Sequence, residues 1–232
     1  MPIFDRFVRY SWAERALEST INKNPPKSIR DWLIAQGLGN ESARRTSNIL
    51  SRMWIKPSSA NEPLRNDALA LFPAVDISEH LVLHWGMAIV QFPIFQETAK
   101  IIGRLGLLQG EFTKEEIINR VLTKYSNQST ISRAIERTIQ TMADWSVIQI
   151  TPQRNFQLKP TRSIPSPALA EWLFRAIMIE TPEKYWLLHD LLGALEIFPF
   201  DMKSLNTILY KSPYLTIVRD ASGAETIGLR DR

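Results

Sequence analysis

Residues 96–158 carry the order of predicted elements that most restricts the fold of this chain. Their sequence predicts two helices, a polar turn, a longer helix and a strand hairpin with no long connection between them. The helices are expected over 96–108, 114–124 and 130–145, and the strands over 147–151 and 156–158. Thr113-Lys-Glu-Glu116 is a capping box that begins the second helix, and Ser126-Asn127-Gln128-Ser129 forms the turn before the third. This order is typical of a winged helix-turn-helix, in which the hairpin tip flanks an exposed helix.

The helix expected over 130–145 has two sides when its residues are counted at helical spacing. The side expected to face the core holds Ile131, Ala134, Ile135, Thr138, Met142 and Trp145. The opposite side, expected to face solvent, holds Thr130, Arg133, Arg137, Gln140 and Thr141. Arginine and glutamine can contact guanine and adenine edges in a major groove, and threonine can contact phosphates. The pattern therefore predicts a helix that contacts duplex DNA.

The predicted hairpin has a basic tip. Arg154 lies in the turn, and Lys159 and Arg162 follow just beyond the second strand. A basic tip suits a minor groove or a flanking phosphate. The alternative is a winged helix that contacts only protein, and Glu136 and Asp144 make the exposed side of the preceding helix less basic.

The N-terminal segment repeats this arrangement in a weaker form. After a helix expected over 11–21, residues 28–54 predict a second helix, a Gly37-Leu-Gly-Asn40 turn and a third helix. The third helix carries a polar stripe at helical spacing, formed by Arg44, Arg45, Asn48 and Arg52. This stripe could lie across a groove or along a DNA backbone. The alternative is an ordinary bundle of three helices with a solvated arginine face.

Two proline-rich stretches, 57–63 and 162–167, are expected to connect separate units. We therefore predict three domains: a helix-turn-helix bundle over 1–57, a winged-helix domain over 64–162 and a helical and hairpin domain over 166–232. Within the last, the predicted elements are helices over 168–180, 183–196 and 203–211 and strands over 214–219 and 225–229. That domain has a net charge of −2, so a packing or partner-binding role is favoured there. The expected fold class is mainly α with short β-hairpins.

The charge of the chain is unevenly distributed. The net charge is +4, but residues 1–60 carry +5 and residues 111–163 carry +3, while the stretches between and after them are mildly acidic. The two basic stretches coincide with the two predicted helix-turn-helix units. The absence of cysteine excludes disulfides, thiolate zinc fingers and cysteine nucleophiles. The N-terminus has no apolar signal core and no apolar run reaches the ~20 residues of a membrane span, so we expect a soluble cytoplasmic protein.

The sequence offers little sign of catalysis. Glu79, His80 and His84 form the one cluster that suggests a metal hydrolase, because histidines four residues apart can share a metal. The order Glu-His-x-x-x-His differs, however, from that of zinc proteases, in which the glutamate lies between the two histidines. No glycine-rich phosphate loop and no Gly-x-Ser-x-Gly motif is present. We therefore predict no catalytic residues, no bound metal and no cofactor.

The layout as a whole resembles the BrxA-like family, the small accessory proteins of BREX phage defence. Three elements carry the resemblance: the turn and helix over 37–54, the apolar helix broken at Phe92-Pro-Ile-Phe95, and the winged-helix stretch over 113–158. The resemblance implies a non-enzymatic protein that binds double-stranded DNA beside the other subunits of a defence complex. The alternative function is a scaffold subunit whose winged helices dock protein partners.

Overall fold

The computed structural model describes residues 2–125, 128–179, 185–202, 209–219 and 221–230, and the described chain is mainly helical with small sheets. Its helices are α1 (Tyr10–Ile21), α2 (Lys27–Ala35), α3 (Asn40–Leu50), α4 (Glu62–Leu71), α5 (His80–Gln91), α6 (Pro93–Gln109), α7 (Lys114–Leu122), α8 (Gln128–Asp144), α9 (Pro167–Ile179) and α10 (Leu188–Leu192). Its strands are β1 (Glu111–Phe112), β2 (Ile148–Ile150), β3 (Phe156–Leu158), β4 (Arg162–Ser163), β5 (Tyr185–Leu187), β6 (Phe200–Asp201), β7 (Leu215–Arg219) and β8 (Glu225–Leu229).

The N-terminal helices form where the sequence predicts them. α3 continues as a turn of π-helix over Ser51–Ile55, which buries Met53 and Trp54. The Ser28 hydroxyl makes no capping hydrogen bond to α2 and lies 3.2 Å from the hydroxyl of Ser19. The Ser28 side chain therefore links α2 to α1.

The stretch 57–63, expected to be a connection, is mostly helical. A 3-10 turn over Ser59–Asn61 leads directly into α4, which the sequence reasoning missed. Pro63 lies in the first turn of α4, where a missing N–H costs no hydrogen bond. Asn61 is buried and donates from Nδ2 to the carbonyl of Val90, 3.2 Å away. This segment is therefore packed against α5.

α5 lies at the centre of the protein, and each of its residues is buried. A helix that is apolar on all sides must be enclosed by other elements, and α6, α9 and the π-helical turn pack around it. α5 ends before Phe92, and Pro93 begins α6, so the helix is interrupted where predicted. Trp85 occupies the middle of this core, with its ring against Phe95, Trp145 and Phe198.

Residues 93–158 form the order helix, strand, helix, helix, strand, strand. The capping box of α7 is confirmed: Glu116 N donates to the hydroxyl of Thr113 at 3.1 Å, and Thr113 N donates back to Glu116 Oε2 at 2.7 Å. β1 was not expected; it pairs antiparallel with β3, which pairs with β2, in the sheet order β1-β3-β2. Of the turn predicted over 126–129, the last two residues instead begin α8, and residues 126 and 127 lie outside the described residues.

The C-terminal segment departs most from prediction. The helix expected over 183–196 is wrong, because 185–187 form β5 and only 188–192 form α10. β5 pairs with β8, and the predicted hairpin of β7 and β8 is confirmed, which gives the sheet order β5-β8-β7. The predicted helix over 203–211 lies largely outside the described residues.

Buried apolar side chains form one connected cluster that extends from Phe4 to Ile227 and includes members of each of the three predicted segments. Trp172 lies in this cluster and donates from Nε1 to the carbonyl of Leu64, which ties α9 to α4. Among the described residues, no helix has both the length and the apolar character that crossing a membrane requires.

Candidate nucleic-acid interface

The predicted inward side of α8 is confirmed, since all six of its expected core residues are buried. On the other side, Thr130, Arg133 and Gln140 are exposed. The Arg133 guanidinium makes no hydrogen bond or ion pair with any described residue, so it is available for an external ligand. Arg137 is half-buried and donates from Nη1 to Gln140 Oε1 at 2.7 Å. Glu136, expected to weaken this face, is paired with Lys114 at 3.3 Å.

The expected exposure of Thr141 is wrong. Its side chain is fully buried, and its hydroxyl accepts a hydrogen bond from the backbone N–H of Val8 at 3.0 Å. The neighbouring Asp144 accepts from the N–H of Tyr10 at 2.7 Å, and Trp145 donates from Nε1 to the carbonyl of Val8 at 3.1 Å. Residues 8–10 therefore cover one side of the C-terminal end of α8, while Thr130, Arg133 and Gln140 remain exposed along the helix.

The hairpin between β2 and β3 has Arg154 at its tip. Thr151 N donates to the carbonyl of Asn155 and Arg154 N donates to that of Thr151, which closes a tight turn. Arg154 has a φ of 65°, in the left-handed region that non-glycine residues rarely adopt. Its exposed guanidinium has no partner among the described residues. Lys159, by contrast, is half-buried, and its backbone N–H donates a hydrogen bond to the carbonyl of Val147.

The N-terminal stripe on α3 is partly neutralised. Arg44 makes a two-pronged pair with Glu41, with hydrogen bonds of 2.9 and 2.7 Å, and Arg45 is paired with Asp5. Asn48 and Arg52 are exposed, and neither side chain is hydrogen-bonded to a described residue. All four line one open cleft with Pro2, Ile3 and Asp5, so the structure brings the predicted stripe together on one surface.

Residues 2–9 form an N-terminal arm that joins the two candidate helices. Asp5 contacts α3 and Val8 contacts α8, and three residues of extended chain span no more than about 11 Å. Arg6 and Arg9 lie on this arm, and sequence reasoning missed them because their position depends on contacts distant in sequence. Arg6 is close enough to Glu41 to act, after Arg44 and Arg45, in lowering the pKa of that carboxyl. The arm thus adds cations between α3 and α8.

The histidines of α5 contact Glu14 of α1, not Glu79. His84 Nε2 lies 2.9 Å from Glu14 Oε1, and His80 Nδ1 lies 3.1 Å from Oε2. Glu79 accepts instead from the backbone of Asp76 and Ser166. Both imidazoles direct a nitrogen at the Glu14 carboxylate. Within the described parts of the chain, no three potential ligands are grouped so that they could hold a metal ion.

The sequence carried one signal for this contact. Glu14 lies among the inward residues of α1, between Ala13 and Ala16, where a charged side chain needs a partner. Burial alone would raise the pKa of Glu14, but the hydrogen bond of His84, together with His80 and Tyr10, outweighs it and brings the pKa to about 2. Burial lowers the pKa of His84, whose ring is fully enclosed. The pair therefore consists of a carboxylate and a neutral imidazole and joins α1 to the core.

Comparison of the chain with protein-family models, with curated proteins and with solved structures gives no match.

Proposed function

We propose that this protein is a non-enzymatic double-stranded DNA-binding protein whose main contact is a winged helix over residues 93–158. The observation that carries the proposal is the sheet order β1-β3-β2 around α7 and α8. In a winged helix, a hairpin follows the second helix of a helix-helix pair, and the hairpin tip flanks that helix. Arg133 on α8 and Arg154 at the tip are both exposed and have no partner among the described residues. Two such cations suit a groove and its flanking phosphate.

The second contact in the proposal is the α3 surface with the N-terminal arm. Arg52 and Asn48 are available there, and Arg6 and Arg9 extend the positive charge toward α8. The other predicted contacts, Thr130, Arg137, Gln140, Lys159, Arg44 and Arg45, are proposed to position the duplex through phosphates. Thr141 is not included, because its buried hydroxyl already accepts a hydrogen bond from the backbone N–H of Val8. We also propose that the protein acts in the cytoplasm beside other subunits of a phage-defence complex. This part of the proposal depends on the resemblance of the sequence to the BrxA-like family.

A salt titration of binding to one random duplex tests the proposal. Because phosphate neutralisation releases counterions, affinity should fall steeply between about 50 and 200 mM salt. Arg133→Glu should weaken binding and reduce the slope of log K against log salt by about 1. Lys211→Glu is the matched control, since it makes the same charge change at an exposed position in the C-terminal segment. A flat salt response, or equal binding by the two variants, would show that duplex DNA is not the ligand of α8.

One observation favours the alternative of a protein-docking scaffold. Leu107, Leu108 and Ile150 are large apolar side chains on the same 93–158 unit, and they are 71, 77 and 62% exposed. Exposed apolar side chains of this size favour protein contact when they form a continuous patch. Under this alternative, Leu108→Ser would abolish association with a partner subunit while Arg133→Glu would not.

A further inference from the structure

A well-formed cleft lies away from the proposed DNA surface. It has a volume of about 430 Å³ and is formed by α6 and α7 on one side and by residues 186–196 on the other. A volume of this size falls in the range of small-molecule sites. None of the residues assigned to DNA contact lines it.

Two basic pairs, each four residues apart, line the cleft: Lys100 with Arg104 on α6, and Arg120 with Lys124 on and after α7. In each pair the lysine is neutralised and the arginine is not. Lys100 Nζ lies 3.3 Å from Glu196 Oε1, and Lys124 Nζ lies 2.8 Å from a Glu97 oxygen. Neither Arg104 nor Arg120 makes a hydrogen bond or ion pair with a described residue. The cleft therefore offers two guanidinium groups whose geometry suits a phosphate.

The floor of the cleft is held rigidly. Trp85 Nε1 donates to the Glu196 carbonyl at 2.8 Å, and Gly103 of α6 packs so closely on the turn that a Cβ there would overlap the Leu195 carbonyl oxygen. The Glu196 side chain is 3% exposed, and Lys100 and Gln96 both approach its Oε1. No donor among the described residues is hydrogen-bonded to Oε2. A deeply buried carboxylate with one free oxygen is suited to accept ligand hydroxyl or amino groups.

Apolar and aromatic groups also line the cleft, besides Thr123 and Asp190. Trp186, from β5, borders the cleft together with Ile101 and Leu195. An indole ring offers a stacking surface for a planar heterocycle, an interaction worth about 1–3 kcal/mol for a base. The lining thus combines hydrogen-bond donors for a phosphate, a ring surface for stacking and a carboxylate oxygen that can accept hydrogen bonds from hydroxyl groups.

We infer that this cleft binds a mononucleotide, with its phosphate on Arg104 and Arg120, its base against Trp186 and its ribose hydroxyls toward Glu196. This site is separate from the duplex surface and does not require the proposed function to be correct. An inorganic anion alone would use the arginines but not the ring or the carboxylate. The nucleotide uses all three.

Calorimetric titration of the full chain with AMP, adenosine and inorganic phosphate tests the inference. AMP should bind more tightly than either fragment, and Arg104→Gln/Arg120→Gln should weaken AMP binding by roughly tenfold for each arginine. The same variant should keep wild-type affinity for a duplex. Arg133→Gln/Arg154→Gln is the matched control, which should keep AMP binding and lose duplex binding.

Four results would overturn the inference. They are absence of heat with millimolar AMP, equal affinity for AMP and phosphate, unchanged AMP binding by Arg104→Gln/Arg120→Gln, or loss of AMP binding in the control variant. A thermal melt of each variant verifies that the fold is intact. Failure of duplex binding in wild type, with AMP binding as described, would remove the proposed function and leave the nucleotide site standing.

Discussion

His84 Nε2 lies 2.9 Å from Glu14 Oε1, while its other ring nitrogen, Nδ1, is buried without a hydrogen-bond partner among the described residues. This arrangement assigns the proton of the neutral ring to Nε2, which donates to the carboxylate. A second proton on Nδ1 would create a buried donor with no acceptor, in addition to a buried charge. The folded protein therefore keeps His84 neutral.

The first prediction is a loss of stability in mild acid. Because the pKa of His84 is lowered by burial, the unfolded chain binds a proton there that the folded chain does not. The free energy of unfolding should fall as the pH drops below about 6.5, by at most ~1.4 kcal/mol per pH unit for one proton. Glu14 adds a second loss as its carboxyl is protonated between pH 4.5 and about 2.

Urea unfolding at pH 7.5, 6.0 and 5.0 measures this effect. His84→Gln should be less stable than wild type at pH 7.5, and the difference should narrow at pH 5.0, because the variant has no imidazole to protonate. His189→Gln is the control, since its side chain is 77% exposed. A constant difference between His84→Gln and wild type across this range would contradict the prediction.

The second prediction concerns the contact between α6 and the turn over Leu195–Ile197. A Cβ on Gly103 would overlap the carbonyl oxygen of Leu195, which is backbone and cannot turn aside. Gly103→Ala should destabilise the protein by about 1–3 kcal/mol, as overpacking does. Gly39→Ala is the matched control, since a Cβ there meets no atom within 4 Å, and it should cost less than about 1 kcal/mol, the preference for glycine over alanine at the N-cap of α3. Equal melting temperatures for the two variants would show that the turn can move away.

The elements that the sequence predicts well are those with local signals. The capping box at Thr113 and the apolar spacing along α8 depend on residues within one or two turns of each other, and both are confirmed. β1 has two residues and exists only because β3 pairs with it, so no local pattern indicates it. The apolar residues of β5 show no clear alternation, so their pattern does not indicate a strand, and the pairing partner of β5 is β8, about forty residues later.

The residues of the predicted DNA site show the same difference between local signals and contacts distant in sequence. Arg133 and Arg154 are exposed as expected, because an amphipathic helix and a turn determine their positions locally. Thr141 lies at the edge of the apolar side of α8, and its burial is decided by Val8, which is 133 residues away in sequence. Glu14 and Asp5 likewise find partners on distant elements. Contacts of this kind depend on tertiary packing, which helical spacing does not report.

The third prediction compares Thr141 with Thr130, two of the three threonines of α8. Thr141→Val keeps the shape of the side chain but leaves the Val8 N–H buried without an acceptor, at a cost of about 1–3 kcal/mol in the free energy of unfolding. Thr130→Val, at an exposed position on the same helix, should change stability by less than about 0.5 kcal/mol. Chemical unfolding of both variants measures the difference. Similar stabilities would mean that the Val8–Thr141 hydrogen bond contributes nothing to the attachment of the arm.

The fourth prediction concerns the charge balance of the N-terminal arm, and it depends on the proposed DNA contact. Asp5 neutralises Arg45, which lines the cleft on α3 together with Arg44, Asn48 and Arg52. Asp5→Asn removes the negative charge and leaves an amide that can still accept a hydrogen bond. Affinity for a random duplex should rise about three- to tenfold at low salt, and the salt dependence should become steeper by up to about 1. Anisotropy titrations at two salt concentrations measure both quantities.

Glu18→Gln is the control for this prediction, since it removes the same charge from a pair with Arg15 that is exposed on α1. It should leave duplex affinity within about twofold of wild type, because the charge of an exposed pair distant from the ligand is screened by salt. If Asp5→Asn and Glu18→Gln strengthen binding equally, the gain comes from net charge alone and α3 makes no local contact. If Asp5→Asn weakens binding, the Asp5–Arg45 pair instead holds the arm in the position that binds DNA.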